Sequence, residues 1–176
     1  MDSALNTIKQ AVRDIPDFPK PGILFKDITP ILNNGAIFQD AVRCFVEVNK
    51  GLNINKIVGI DARGFLFGAA AAYALGIGFV PIRKKGKLPY TTRSVSYSLE
   101  YGEATVEIHE DAIAPGERVV LIDDLLATGG TAFAASRLIN EVGGVLVETQ
   151  FLIELEFLKG RSLIEPCAPV RSFIRF

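Results

Sequence analysis

Asp123 and Asp124 stand side by side after an apolar run, Val119-Val120-Leu121-Ile122, and ahead of the small-residue stretch Ala127-Thr128-Gly129-Gly130-Thr131. This order suits a phosphorylated sugar. The run Arg118–Ile122 predicts a strand and Thr131–Val142 a helix. In open α/β sheets, ligands sit beyond the carboxyl ends of the strands. A loop without bulky side chains lets backbone N–H groups close around a phosphate at a helix N-terminus, and the Thr128 and Thr131 hydroxyls add donors. Two carboxylates one turn earlier can accept hydrogen bonds from the 2- and 3-hydroxyls of a ribose, as the acidic residue does in dinucleotide folds. No Gly-Lys-Ser/Thr follows, which excludes a Walker A loop, and the GxGxxG spacing is absent.

Three further groups of residues could act on the same ligand. Asp61-Ala62-Arg63-Gly64 follows a predicted strand, Lys56–Ile60, and opens a predicted helix, Phe65–Leu75. Arg63 should therefore project over the crevice, where its planar, permanently charged fork suits phosphate. Arg83, Lys84, Lys85 and Lys87 form a basic run at the end of the predicted strand Gly78–Ile82. A basic run alone is ordinarily a solvated face; beside a phosphate crevice it becomes an anion contact. Glu100 precedes the tight turn of a predicted β-hairpin, Ser94–Glu100 and Ala104–His109. Taken alone, that is also the position of an ordinary exposed strand acid. His109 has no nucleophile or metal partner nearby in sequence and reads as surface or structural. Cys44, on the polar or boundary side of a helix, is given no role.

The elements that must position these groups follow from periodicity and punctuation. Leu5, Ile8, Val12 and Ile15 predict a first helix with Ser3 as its N-cap. Pro19, Pro21 and Pro30 make Phe18–Pro30 a stiff loop around an extended piece, Ile23–Lys26. Phe38, Ala41, Val42, Phe45 and Val46 predict a second helix, and Val145–Ile153 a further strand after Gly143-Gly144. Strands alternating with helices predict an α/β fold: a mostly parallel central sheet flanked by helices on both faces. The 176 residues are 49% apolar and 22% charged, enough for one domain that buries roughly 70% of its unfolded surface.

Composition also excludes classes of function. Net charge is −1, so nothing in the overall balance calls for nucleic acid or an anionic membrane. Two cysteines and one histidine supply neither a disulfide framework nor a zinc site of the usual kind. Gly64–Ile82 is uncharged and long enough to span a bilayer, yet Gly76, Gly78 and Pro81 divide it into a helix and a short strand. No signal peptide is read at the start. A cytoplasmic enzyme is the expectation.

Val119–Thr131 resembles the phosphoribosyl-pyrophosphate signature of the type I phosphoribosyltransferases, and its DDLLATGGT form resembles the adenine branch of that family. Three more segments agree in order. Asp61-Ala62-Arg63-Gly64-Phe65 resembles the pyrophosphate loop, Ile82–Pro89 the start of the mobile loop, and Tyr97–Gly102 the adjoining hairpin. FPKPGILFKDITP, Phe18–Pro30, resembles the base-binding segment.

The resemblance implies the type I fold over residues 1–176, with an N-terminal hood at 1–34 and a mobile loop and hairpin at 83–109. It implies transfer of ribose 5-phosphate from 5-phosphoribosyl 1-pyrophosphate to N9 of adenine, with Mg2+ and, by family habit, a homodimer. Asp123, Asp124, Ala127, Thr128, Gly129, Gly130 and Thr131 are then the sugar-phosphate site. Ala62, Arg63, Arg83, Lys84 and Lys87 are the pyrophosphate contacts, from the same subunit or a partner, with Lys84 and Lys87 first among the basic residues. Leu24, Phe25, Lys26 and Leu155 surround the base, Lys26 through its backbone, although the family usually has arginine there. Glu100 is the candidate acid near purine N7, and the family often has a cis non-proline peptide before the arginine of the pyrophosphate loop. No direct protein ligand to the metal is implied; Asp123 and Asp124 act on the diol or on metal-bound water. The same fold with a nucleic-acid-binding role would need a basic face or a winged-helix domain, and this chain offers neither.

Overall fold

The computed structural model describes residues 2–98 and 103–176. Glu100 and the hairpin turn around it lie outside the described residues. The first helix, α1 (Asp2–Ala11), buries Ile8 and stops short of the predicted Val12 and Ile15. Ser3 lies within it, its carbonyl accepting from the Thr7 hydroxyl, and does not cap it. Ile15 belongs to a strand, β1 (Arg13–Pro16), which pairs antiparallel with β2 (Leu24–Asp27). Charge explains the change of structure. Arg13 faces Asp27 and Asp14 faces Lys26 across the ribbon, with N–O distances of 2.8 and 2.6 Å. The expected stiff segment Phe18–Pro30 thus contains a strand one residue later than predicted. A short helix that periodicity missed, α2 (Thr29–Asn33), carries Pro30 in its first turn.

The second predicted helix is α3 (Gly35–Asn49), capped by the Asn34 side chain, which accepts from the N–H groups of Ala36 and Ile37. Its Cys44 is 4% exposed, packed in the core and not at the polar boundary the sequence suggested. The strand–helix alternation then unfolds as β3 (Lys56–Ile60), α4 (Arg63–Leu75) and β4 (Gly78–Lys84). The hairpin strands β5 (Thr92–Ser98) and β6 (Glu103–His109) come next. They are followed by β7 (Arg118–Leu126), α5 (Gly130–Glu141), β8 (Val145–Glu154), α6 (Arg161–Ile164) and β9 (Val170–Arg175).

These strands form one seven-stranded sheet in the order β5-β6-β4-β3-β7-β8-β9. From β4 to β9 the neighbours are parallel; the β5–β6 hairpin adds an antiparallel edge. One face packs on α5 through Val58, Leu121 and Leu138, the other on α1, α3 and α4 through Phe45, Phe67 and Ile122. The uncharged stretch Gly64–Ile82 is α4, broken at Gly76 in the left-handed region (φ 68°), and then β4. No helix among the described residues is long and apolar enough to cross a membrane.

Two strands outrun their predicted ends. β7 does not stop before the carboxylates. It carries Asp123 and Asp124 within the strand, because β8 pairs with it as far as Leu126↔Glu154. β4 takes in Arg83 and Lys84, which pair with Glu107 and Val106 of the hairpin. The predicted loop from Arg83 to Arg93 is shorter by those residues.

Candidate functional site

The carboxyl ends of β3, β7 and β8 lie along one edge of the sheet, and the predicted chemistry gathers there. The loop Ala127–Gly129 leaves β7 and enters α5, whose N-terminus has no side-chain cap among the described residues. The first-turn N–H groups are therefore free to meet an anion. A cleft of about 80 Å³ opens on this loop, lined by Asp123, Leu125–Ala132 and Phe151. Gly129 is left-handed (φ 84°), and a Cβ there would stand 2.6 Å from the carbonyl oxygen of Gly160. Gly160 is constrained in return: a Cβ on it would lie 2.8 Å from the Gly129 nitrogen and closer still to the Ala127 carbonyl. The cradle is thus backbone pressed against backbone, which only glycine at both positions permits.

Gly160 and the arginine after it were not singled out from sequence. Arg161 donates to both oxygens of Glu154 and to the carbonyl of Val170, tying the connection after β8 to the sheet. Burial tends to raise the Glu154 carboxyl, but the hydrogen bonds from Arg161 and Ser172 and the charges of Arg161 and Arg175 together outweigh it and hold the group below its ordinary value. The Thr131 hydroxyl, expected to serve a phosphate, lies 3.0 Å from the Tyr97 hydroxyl of β5 and donates to it. Val95 is buried and Tyr97 packs on the same core, so the described part of the predicted closing segment is docked against α5.

Asp123 and Asp124 have distinct surroundings. Asp123 Oδ1 accepts from the Asp124 N–H at 2.9 Å and lies against the first turn of α4. A Cβ on Gly64 would come within 2.8 Å of that oxygen and of the Ile122 carbonyl, so glycine at 64 lets the helix approach. Asp124 is 3% exposed, and its Oδ2 has no hydrogen-bond donor among the described residues. The nearest cation is Arg63, whose Nε lies 3.0 Å from Oδ2 in an ion pair without hydrogen-bond alignment. Burial raises the Asp123 carboxyl well above its ordinary value, and the Asp124 charge adds to the rise. Burial raises Asp124 as well, with Arg63 opposing it.

Arg63 pairs with Asp124, and Asp61 pairs instead with Arg83, at 3.3 Å. A cis non-proline peptide is present in this loop, at Asp61–Ala62, one bond ahead of the one preceding Arg63. Arg83 also donates to the Lys87 carbonyl at 3.1 Å, while Lys84 and Lys87 are exposed. Glu107, buried on β6, accepts from the Gly86 N–H at 2.9 Å and holds the turn that presents them. Nothing in the sequence marks Glu107, because strand alternation alone cannot tell a buried acid from an exposed one.

The base segment stands beside these loops. The Arg63 guanidinium lies 5.5 Å from the centroid of the Phe25 ring, and Phe18 meets Phe25 edge-on at 5.1 Å. Leu24 is exposed and Lys26 buried. Leu155 is 9% exposed; its N–H donates to the Leu126 carbonyl, so it leaves the sheet beside the phosphate loop. His109 accepts weakly from the Tyr90 N–H at 3.4 Å, away from this edge. A recess of about 170 Å³ between α1 and α3 holds Asp40, Arg43 and Cys44, but its arginine is already paired with Asp40.

The sequence pattern of the family described as phosphoribosyl transferase domain matches residues 27–167. The chain is 56% identical over 169 residues to adenine phosphoribosyltransferase of Sulfurimonas denitrificans, covering 95% of this chain and 93% of that one. It is 55% identical to the Acidothermus cellulolyticus protein of the same name, covering 93% and 92%. The crystal structure of adenine phosphoribosyltransferase from Thermoanaerobacter pseudethanolicus superposes with a TM-score of 0.94 at 49% identity, over 98% of this chain and 99% of that one. The Saccharomyces cerevisiae protein, complexed with adenine and an imino-altritol bisphosphate, superposes at 0.93 with 43% identity over 98% and 99%.

Proposed function

This chain belongs to the phosphoribosyl transferase family, and from that premise we propose that its sheet-edge crevice joins adenine to ribose 5-phosphate. The donor is 5-phosphoribosyl 1-pyrophosphate and the products are AMP and pyrophosphate, a purine-salvage reaction. The observation that carries the reading is the position of Arg63. Its side chain contacts both a buried carboxylate suited to ribose hydroxyls, Asp124, and an aromatic face suited to a purine, Phe25.

The 5-phosphate is held by Ala127, Thr128, Gly129, Gly130 and Thr131, with the N-terminus of α5 supplying donors and a favourable dipole. Asp123 and Asp124 accept hydrogen bonds from the ribose 2- and 3-hydroxyls. Ala62 and Arg63, with Arg83, Lys84 and Lys87, hold the pyrophosphate. The C1–O bond breaks with its electron pair leaving on pyrophosphate, N9 of the N7–H form of adenine makes the new bond to C1, and the N7 proton the base must lose passes to the Glu100 carboxylate. Positive charge grows on the sugar as it departs, so the chain acts by aligning base and sugar and by stabilising charge. Leu24, Phe25, Lys26 and Leu155 enclose the base.

Mg2+ would be held here through the substrate, with Asp123 and Asp124 reaching it only by way of the diol or a metal-bound water, and would supply positive charge for the departing pyrophosphate. Asp124 Oδ2, buried without a donor among the described residues, is ready for a hydroxyl or a metal-bound water. Residues 1–34 serve as the hood and 83–109 as the closing element. A cytoplasmic homodimer is the working form: α4 shows Leu66 and Tyr73 outward, 43% and 90% exposed, an apolar face of the kind a symmetric partner covers.

Glu100 is the acidic residue near purine N7 once the hairpin closes, taking the N7 proton in AMP formation and returning it in the reverse direction. Glu100→Gln is expected to lower kcat by roughly 10- to 10³-fold, while KM for adenine stays within about twofold. A rise in KM alone, measured in initial-rate assays, would make Glu100 a ground-state binder. The reaction itself is tested by incubating the chain with adenine, 5-phosphoribosyl 1-pyrophosphate and Mg2+. AMP and pyrophosphate should appear in equal amounts, and chelation by EDTA should abolish both. AMP formation undiminished by EDTA would remove the metal from the account; no AMP would remove the reaction.

A further inference from the structure

The Lys26 side chain does not extend into the crevice. Its Nζ is 2.6 Å from Asp14 Oδ1 and 4.1 Å from the centroid of the Phe176 ring. The same ring carries Lys9 at 4.8 Å, and Lys9 donates to the Arg175 carbonyl at 2.7 Å. Phe176 is itself fixed at the end of β8: its N–H donates to the Glu154 carbonyl, and its C=O accepts from the Glu156 N–H, both at 3.0 Å. One ring therefore joins α1, the β1–β2 ribbon and the strand end that carries Leu155.

We propose that Phe176 is a positioning residue for the base: acting through the Lys26 ammonium, its ring holds β2 where the strand's backbone can read adenine. The inference rests on the base-binding reading of Leu24, Phe25 and Lys26. Each strand of the ribbon has four residues, and a two-stranded ribbon is marginally stable by itself. It also lies outside the seven-stranded sheet, so its placement depends on side-chain anchors. Lys26 is 9% exposed, and a cation held over an aromatic face is worth most when water is excluded. A carboxylate on one side and a ring on the other leave the ammonium little freedom. Because the anchor and the base-reading backbone belong to one residue, movement of the first is transmitted to the second.

The test is a comparison of KM for the two substrates. Phe176→Leu, which keeps an apolar side chain and loses the ring, should raise KM for adenine about three- to tenfold. KM for 5-phosphoribosyl 1-pyrophosphate and kcat should stay within about twofold. Phe176→Tyr should restore the wild-type KM for adenine. Lys26→Met should raise KM for adenine by a similar factor, and the double variant Lys26→Met/Phe176→Leu should be little worse than either alone. Equal rises in both KM values with a fall in melting temperature would make Phe176 a general stabiliser and overturn the proposal. Additive effects in the double variant, or no change in KM for adenine, would also overturn it. Phe25→Ala separates the two levels of the argument. If it raises KM for adenine while Phe176→Leu does not, the positioning role alone fails. If neither variant does, the base-binding reading fails with it.

Discussion

Asp124→Asn is expected to lower kcat/KM for 5-phosphoribosyl 1-pyrophosphate roughly 10²-fold, about 2.7 kcal/mol of transition-state stabilisation. The substitution keeps the shape of the side chain and replaces an acceptor oxygen with an N–H facing a ribose hydroxyl. Hydrogen bonds to a charged group are each worth about 1.5–3 kcal/mol, and a donor turned towards a donor adds a penalty. Folding should not suffer. Burial raises the Asp124 carboxyl above its ordinary value of 3.8, despite Arg63. A carboxyl whose folded-state pKa is raised stabilises the fold most when protonated, below its ordinary value; that contribution is lost as pH climbs through the raised pKa. Wherever the carboxyl is ionised, it therefore opposes folding. Removing it should leave the melting temperature equal or higher, measured alongside the kinetics. Activity within about twofold of wild type would make Asp124 a structural residue.

That residue also shows how far the site was legible before the fold was known. Two acids between an apolar run and a small-residue loop have few uses besides holding a hydroxylated, phosphorylated ligand, and the loop does open on a cleft at a helix N-terminus. What sequence could not show is the traffic between motifs. Arg63 could be placed over the crevice from its strand–helix junction. Its pairing with Asp124, and not with the nearer-in-sequence Asp61, depends on β3 and β7 being neighbours in the sheet. Gly160 was invisible for the same reason. It follows Lys159 in a stretch without periodicity, and its need for glycine arises from a backbone 31 residues earlier in the chain, at Gly129.

Element boundaries failed where long-range pairing overrode local signals. The first helix was extended to Ile15 on apolar spacing, but the charges at Arg13 and Asp14 found partners on β2 and drew the chain into a ribbon. The apolar run alone predicts that β7 ends before the carboxylates, although pairing with β8 carries the strand to Leu126. Cys44 reads as a boundary residue because it lies off the apolar stripe Phe38, Ala41, Val42, Phe45 and Val46, whereas α1 packs over that side of α3. Conversely, β3 was predicted to the residue, since a short apolar strand between turn signals has no competing partner nearby.

Preference for adenine over 6-oxo purines is the largest effect the account expects. The β1–β2 ribbon is a separate two-stranded sheet, so β2 has one edge whose N–H and C=O groups are not taken by a neighbouring strand. A backbone N–H can donate to adenine N1 while a C=O accepts from the 6-amino group. Hypoxanthine and guanine present a carbonyl at position 6 and a protonated N1, which sets acceptor against acceptor and donor against donor. A site built around a substrate N–H rejects an analogue without it by about 10⁴–10⁵ at best, because its buried polar groups are left unpaired. An edge partly open to water at Leu24, 47% exposed, should discriminate less, by about 10³. The deciding measurement is therefore the ratio of kcat/KM for adenine to that for hypoxanthine, both at saturating 5-phosphoribosyl 1-pyrophosphate and Mg2+. A ratio of about 10³ or more is the predicted result; comparable values for the two bases would contradict the account at its centre.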